Sequence, residues 1–166
     1  MATVTLKGST IKTIGSLPEL GSKLPTFNLT SGDLSNKTNT DFEGKKLVLN
    51  IFPSIDTGTC AASVRRFNSE ATKLGKDVVV LCISRDLPFA QGRFCSSEGL
   101  ENVVNLSSMK DESFGKDFGV QFIEGPLQGL FSRSVIVCDS EGVVKYTQQV
   151  AETTEEPDYE PALAAL

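Results

Sequence analysis

Lys46-Leu47-Val48-Leu49-Asn50-Ile51-Phe52, closed by Pro53, is the stretch on which the fold turns. It is an almost unbroken apolar run of strand length, the pattern of a strand buried on both faces. The period then changes. From Cys60 onward the apolar residues Ala61, Val64, Phe67, Ala71 and Leu74 recur at steps of three and four, which predicts one buried helical face ending at Gly75. Val78 to Ile83 is a second apolar strand. Strand, helix and strand at this spacing form a crossover unit with its two strands parallel, and such a sheet needs cover on both sides.

Working outward, the pattern predicts a helix through Phe89 to Ser97, a short strand near Val103 to Leu106 and a helical patch at Phe114 to Phe118. Ser134–Cys138 and Val143–Thr147 flank Asp139-Ser140-Glu141-Gly142 and read as an antiparallel hairpin. Asp158 to Leu166 reads as a closing helix. Upstream, Val4-Thr5-Leu6 and Thr10-Ile11-Lys12 are expected to pair about a turn at Gly8-Ser9, whereas Leu17 to Asp41 reads mostly as connection. At 166 residues the chain is expected to be a single domain, 1–166, with residues 1–15 as an N-terminal hairpin extension. A parallel core with an antiparallel hairpin predicts an α/β fold of the thioredoxin-like class, a central mixed sheet flanked by helices.

Composition removes whole classes of chemistry. There is no histidine, which excludes imidazole metal sites, Ser-His and Cys-His nucleophile pairs, and histidine acid–base catalysis. Sixteen basic against twenty-one acidic residues, with no basic cluster longer than a pair such as Arg65-Arg66, argue against nucleic-acid binding. The opening MATVTLKGSTIKTIGS has no basic region followed by an apolar stretch, so a cytoplasmic protein with no membrane role is expected. The four cysteines, 60, 82, 95 and 138, form no CxxC. Cys82, inside an apolar strand, and Cys138, at the end of another, read as core residues.

Cys60 differs by position. It falls just past the carboxyl end of a strand, where open α/β sheets place their sites, and at the start of a helix, whose unpaired N–H groups and dipole favour a thiolate. By position alone it could equally be a small apolar residue on the buried helical face. The string Pro53-Ser54-Ile55-Asp56-Thr57-Gly58-Thr59-Cys60 separates these readings, because it fits the peroxiredoxin pattern PxxxTxxC at Pro53, Thr57 and Cys60. More narrowly, LNIFPSIDTGTCAASVRRFN, VVLCISRDLPFAQGRFC, GPLQGL and EEPDYEPAL resemble the bacterial thiol peroxidases, of the atypical two-cysteine peroxiredoxin family, over nearly the whole chain.

That resemblance implies a peroxidatic Cys60, a Thr57 that hydrogen-bonds thiolate and peroxide, and a Pro53 that shields the pocket. Each role suits its residue: a hydroxyl both donates and accepts, and proline fixes the backbone while offering no stray donor. The family's GPL-x-GL-xx-R stretch implies that Arg133 stabilises charge on sulfur and leaving oxygen. Arg65 and Arg66 lie as near along the chain, but a charge entering an apolar strand needs a buried partner, which favours Arg133. By the same resemblance Cys95 resolves the sulfenic acid as an intramolecular Cys60–Cys95 disulfide, after local unfolding of both segments, and thioredoxin recycles it. No cofactor, metal, haem or flavin is implied. Hydrogen peroxide and organic hydroperoxides as substrates, alkyl or lipid ones above all, and a homodimer are implied by the resemblance alone. Phe89 and Phe94 are candidates for an apolar approach to the pocket. The rival readings are a non-enzymatic thiol redox sensor and a protein dithiol oxidoreductase, the latter disfavoured by the missing CxxC.

Overall fold

A computed structural model describes residues 1–166. Its core is a seven-stranded mixed sheet. In chain order its strands are β3 (Asn28–Thr30), β4 (Asn36–Thr38), β5 (Lys46–Ile51), β6 (Val78–Ser84), β7 (Val104–Ser107), β8 (Ser134–Cys138) and β9 (Val144–Gln149). They lie side by side as β4-β3-β7-β6-β5-β8-β9. The pairs β5–β6 and β6–β7 are parallel, and β5–β8 and β8–β9 antiparallel, as the crossover and hairpin patterns predict.

The strict alternation of side chains along a strand sorts this sheet into two faces. Leu47, Leu49, Ile51, Leu81, Ile83 and Ile136 point to one side, where they meet Phe114 of the short helix α3 (Phe114–Asp117) and Phe118 just after it. Val48, Val80, Cys82, Val135 and Val137 point to the other. There they pack against α1 (Gly58–Ala71), α2 (Pro88–Glu98) and α4 (Tyr159–Ala164). The buried face of α1 carries Cys60, Ala61, Val64 and Phe67, as the periodicity predicts, with Ser63 and Asn68 beside them; the helix ends at Ala71 rather than running to Gly75, so Leu74 packs from beyond its end. Burying Val64 and Phe67 completely stabilises the fold by about 1.5–3 kcal/mol each. Helix α2 is held more thinly, since only Pro88, Gln91 and Cys95 of its eleven residues are buried.

Two expectations need correction. The N-terminal hairpin pairs β1 (Thr3–Leu6) with β2 (Ser9–Lys12), and Leu6 faces Ser9, so the turn pair is Lys7-Gly8 rather than Gly8-Ser9. Both turn residues have positive φ, 50° and 83°, which a two-residue turn matching the twist of its strands requires. The segment read as connection contains the hairpin β3–β4 and a 3-10 turn at Asn39–Phe42. Both strands are three residues long, β4 is the edge strand and polar throughout, and β3 beside it carries one apolar residue, Leu29, so there is too little alternation to reveal them. Helix α1 also begins two residues before Cys60, at Gly58. No helix is long and apolar enough to cross a membrane.

Candidate functional site

Strand register brings the site together. Ile51, the last residue of β5, pairs with Ser134, the first of β8, so the chain entering β8 lies against the chain leaving β5. Side-chain parity then puts Arg133 on the same face as Val135 and Val137, the face covered by α1. Beyond β5, the chain passes the buried Pro53 and enters α1 with Cys60 in its first turn. The outcome is a contact between residues 73 apart in sequence: Arg133 Nη1 donates to Cys60 Sγ at 3.3 Å.

Both groups are sealed from solvent, Cys60 at 0% and Arg133 at 2% exposure. A guanidinium buried to this degree ordinarily has a carboxylate beside it. Here none of the six ion pairs in the protein includes Arg133. Its other acceptor is the carbonyl of Thr153, which takes Nε at 3.2 Å and Nη2 at 3.0 Å. The fork of the guanidinium is thus fixed by one carbonyl, and its remaining nitrogen faces the sulfur. The sulfur is the only partner of the cation that can carry a full negative charge.

The N-terminal end of α1 adds to this field. First-turn N–H groups have no acceptor within a helix, and no side chain caps them here. Thr57, the residue before the helix, is exposed, and its hydroxyl donates to the Ser54 carbonyl at 3.0 Å rather than to Cys60. The expected Thr57–Cys60 hydrogen bond is therefore not made in this state. Thr59 donates to the Thr154 carbonyl at 2.9 Å, and Ser63 donates to the Cys60 carbonyl at 2.8 Å while accepting from Asn50 of β5. These bonds fasten the first turn on both sides of the cysteine.

The loop ahead of α1 is clamped by Asp86, at the entrance to α2. Its carboxylate accepts from the Ser54 hydroxyl at 2.8 Å, the Ile55 N–H at 2.7 Å and the Ser84 hydroxyl at 2.6 Å. Neither Asp86 nor Thr153 was identifiable in the sequence as part of this site. An Asp in a strand-to-helix loop is commonplace, and Thr153 contributes only its backbone oxygen.

Cys95 shares the apolar cluster with Cys60, but the two are not bonded, and all four cysteines are free thiols. Cys95 Sγ instead accepts from Asn105 Nδ2 at 2.9 Å. Burial pushes its thiol up, with the Asn105 bond opposing. Helix α2 is fastened to α1 on the outside by the Arg65–Glu98 pair, two bonds of 2.8 Å, and by Arg65 lying 5.5 Å from the centre of the Phe94 ring. Arg65 and Arg66 are committed to Glu98 and Glu70, which leaves Arg133 as the arginine at Cys60. Phe89 is 66% exposed at the start of α2 and Phe94 is partly buried. Burial pushes the Cys82 thiol up to about 12 and the Cys138 thiol to about 11, so both stay protonated, as core residues should.

A cavity of about 490 Å³ lies among Asn28, Asn36, Thr38, Lys110 and Asp111 and includes neither Cys60 nor Arg133. The chemistry points to the buried thiol, not to this open polar groove. No three His, Cys, Asp or Glu side chains are grouped so as to hold a metal ion. What the arrangement can do is stabilise a sulfur anion and the charge that develops when it attacks an electrophile.

Comparison with known proteins agrees with that chemistry. Residues 19–163 match the family described as Redoxin. The chain is 51% identical to the thiol peroxidase of Mycobacterium tuberculosis and 53% identical to that of Corynebacterium glutamicum, over 100% of this chain and 99% of each relative. Among solved structures, a peroxiredoxin-like protein from Aquifex aeolicus superposes with a TM-score of 0.92 at 35% identity, covering 99% of this chain and 95% of that one. A thiol peroxidase from Chromobacterium violaceum, at 24% identity, shares the fold with a TM-score of 0.88, covering 98% of this chain and 93% of that one.

Proposed function

Since the chain belongs to the Redoxin family and is a thiol-dependent peroxidase, we propose that Cys60 is its peroxidatic cysteine, Cys95 its resolving cysteine, and Arg133, Thr57 and Pro53 the groups that serve the reaction at Cys60. The observation that carries this reading is the 3.3 Å contact between Arg133 and Cys60, with no carboxylate competing for the cation.

In the first step the Cys60 thiolate attacks one peroxide oxygen. The S–O bond forms as the O–O bond breaks, and the departing oxygen takes a proton to leave as water or an alcohol. Arg133 holds positive charge where the negative charge passes from sulfur to the leaving oxygen. Cys60 becomes a sulfenic acid. Cys95 then attacks its sulfur, water leaves, and an intramolecular disulfide remains. A thioredoxin-type dithiol reduces that bond and accepts the oxidation in its own cysteines.

Two movements are required. Cys60 is fully buried, so the 53–57 loop must open for peroxide to enter. A disulfide needs Cα atoms within about 7 Å, whereas Cys95 is held by Asn105 on a helix beside α1. The thin burial of α2 suits its release. We further read the 166 residues as one domain, working as a cytoplasmic homodimer on alkyl or lipid hydroperoxides. Family membership favours turnover over the sensor and dithiol oxidoreductase readings. Reduced protein treated with one equivalent of cumene hydroperoxide should yield a Cys60–Cys95 linked peptide, absent from Cys60→Ser. A different pair, or untouched thiols, would overturn the assignment.

A further inference from the structure

We propose that Glu152, together with the N-terminal hairpin it grips, is a positioning element of the peroxidase site that sets Arg133 against Cys60. The inference rests on the assignment of Cys60 and Arg133 made above.

The loop after β9 is joined to the hairpin along its backbone. Thr5 N–H donates to the Ala151 carbonyl at 2.7 Å, and Thr153 N–H donates to the Thr5 carbonyl at 2.8 Å. Between these bonds the Glu152 carboxylate reaches the hairpin turn. It accepts from the Thr5 hydroxyl at 2.6 Å, the Lys7 N–H at 2.8 Å and the Gly8 N–H at 3.1 Å. Two successive residues at positive φ aim both turn amides at one anion. The same carboxylate accepts the N–H and hydroxyl of Thr154, at 3.2 and 2.9 Å, and so stiffens the loop from its other side. These donors, the Thr5 hydroxyl foremost, draw the carboxyl down to about 2, so Glu152 is ionised at any working pH.

The next two residues of this loop face the reaction site. The Thr153 carbonyl holds two nitrogens of Arg133, and the Thr154 carbonyl holds Thr59 in the turn that carries Cys60. Arg133 has no carboxylate to orient it, so the placement of Thr153 decides where its third nitrogen points. Glu152 touches neither sulfur nor peroxide; it acts through the loop. A shift of about an ångström there lengthens the Arg133–Cys60 contact, and misplacements of that size can slow a reaction about a hundredfold.

The test measures the rate of Cys60 oxidation by cumene hydroperoxide in the full chain, read by intact mass after acid quench. Glu152→Ala should slow it by about tenfold to a hundredfold. Glu152→Gln keeps one acceptor and should recover most of the loss, and Thr5→Val, which keeps the strand but removes the hydroxyl, should slow it less. On an Arg133→Lys background Glu152→Ala should have no further effect, because the group it positions is gone. A wild-type rate in folded Glu152→Ala, or the same loss on both backgrounds, overturns the proposal. Should Glu152→Ala not fold, Thr5→Val decides in the same way. If Cys60→Ser still turns over peroxide, or Arg133→Lys reacts at the wild-type rate, the underlying assignment fails instead.

Discussion

Replacing Arg133 by methionine should separate activity from stability. The guanidinium makes one bond to the Cys60 sulfur and two to the Thr153 carbonyl. Only the first nitrogen lies where charge moves in the reaction, from the attacking sulfur to the leaving oxygen, and hydrogen bonds to charged groups contribute about 1.5–3 kcal/mol. At about 1.4 kcal/mol per factor of ten, oxidation of Cys60 should slow by about tenfold to a hundred and fiftyfold. Stability runs by a different balance. The variant leaves the Thr153 carbonyl unpaired, at about 1–3 kcal/mol, but no longer holds a cation out of water without a carboxylate, which relieves several kcal/mol before the loss of the sulfur contact is counted. The two nearly offset, so urea unfolding of the reduced protein at pH 7 should remain within about 2 kcal/mol of wild type. Single-turnover oxidation by cumene hydroperoxide supplies the rate. A slowing of less than about threefold, or a loss of stability large enough to account for the slowing, would refute the placing of Arg133 in the reaction.

Other outcomes can be checked with the same protein. Iodoacetamide at pH 8 should leave Cys82 and Cys138 unmodified in the native state and label all four cysteines in urea, because burial raises these two thiols to about 12 and about 11; peptide mapping decides. Glu98→Gln, which loosens the tether from α2 to α1, should speed disulfide formation by a small factor, about twofold, without changing the first oxidation step. Quenched-flow thiol counting separates the two steps. The Glu152 carboxyl lies below its ordinary value, so its contribution to stability is present above about pH 4.5 and lost as pH falls toward about 2. Acid titration of the urea midpoint should therefore be flatter for Glu152→Gln than for wild type.

The central crossover was legible because its physics is local. An apolar run, a switch to three-and-four spacing and a second run leave few other folds for residues 46 to 83. The β3–β4 hairpin was not legible, since strands of three residues, one of them wholly polar, carry no period. At the site, the parity of residues 133, 135 and 137 could have aimed Arg133 at α1 once β8 was known to pair antiparallel with β5. That pairing is a tertiary fact. Glu152 and Thr153 lay further out of reach, because their contacts join the two ends of the chain and one of them acts through a backbone oxygen. Thr57 illustrates the reverse: its motif was plain, yet its hydroxyl is turned to Ser54 in this reduced state.

The missing carboxylate beside Arg133 also bears on the oxidised protein. While the sulfur carries negative charge, the cation is neutralised in place. Once that sulfur is tied into a disulfide it is uncharged, and a buried guanidinium is left with one carbonyl for company. Such a group draws in water or moves toward it. In the proposed disulfide form the site is thus electrically out of balance at the point a reductant must reach, and the imbalance persists until the sulfur is reduced. Backbone amides of residues 150–154 should accordingly exchange hydrogen faster in the disulfide form than in the reduced one, and equal rates would show that the charge has found another partner.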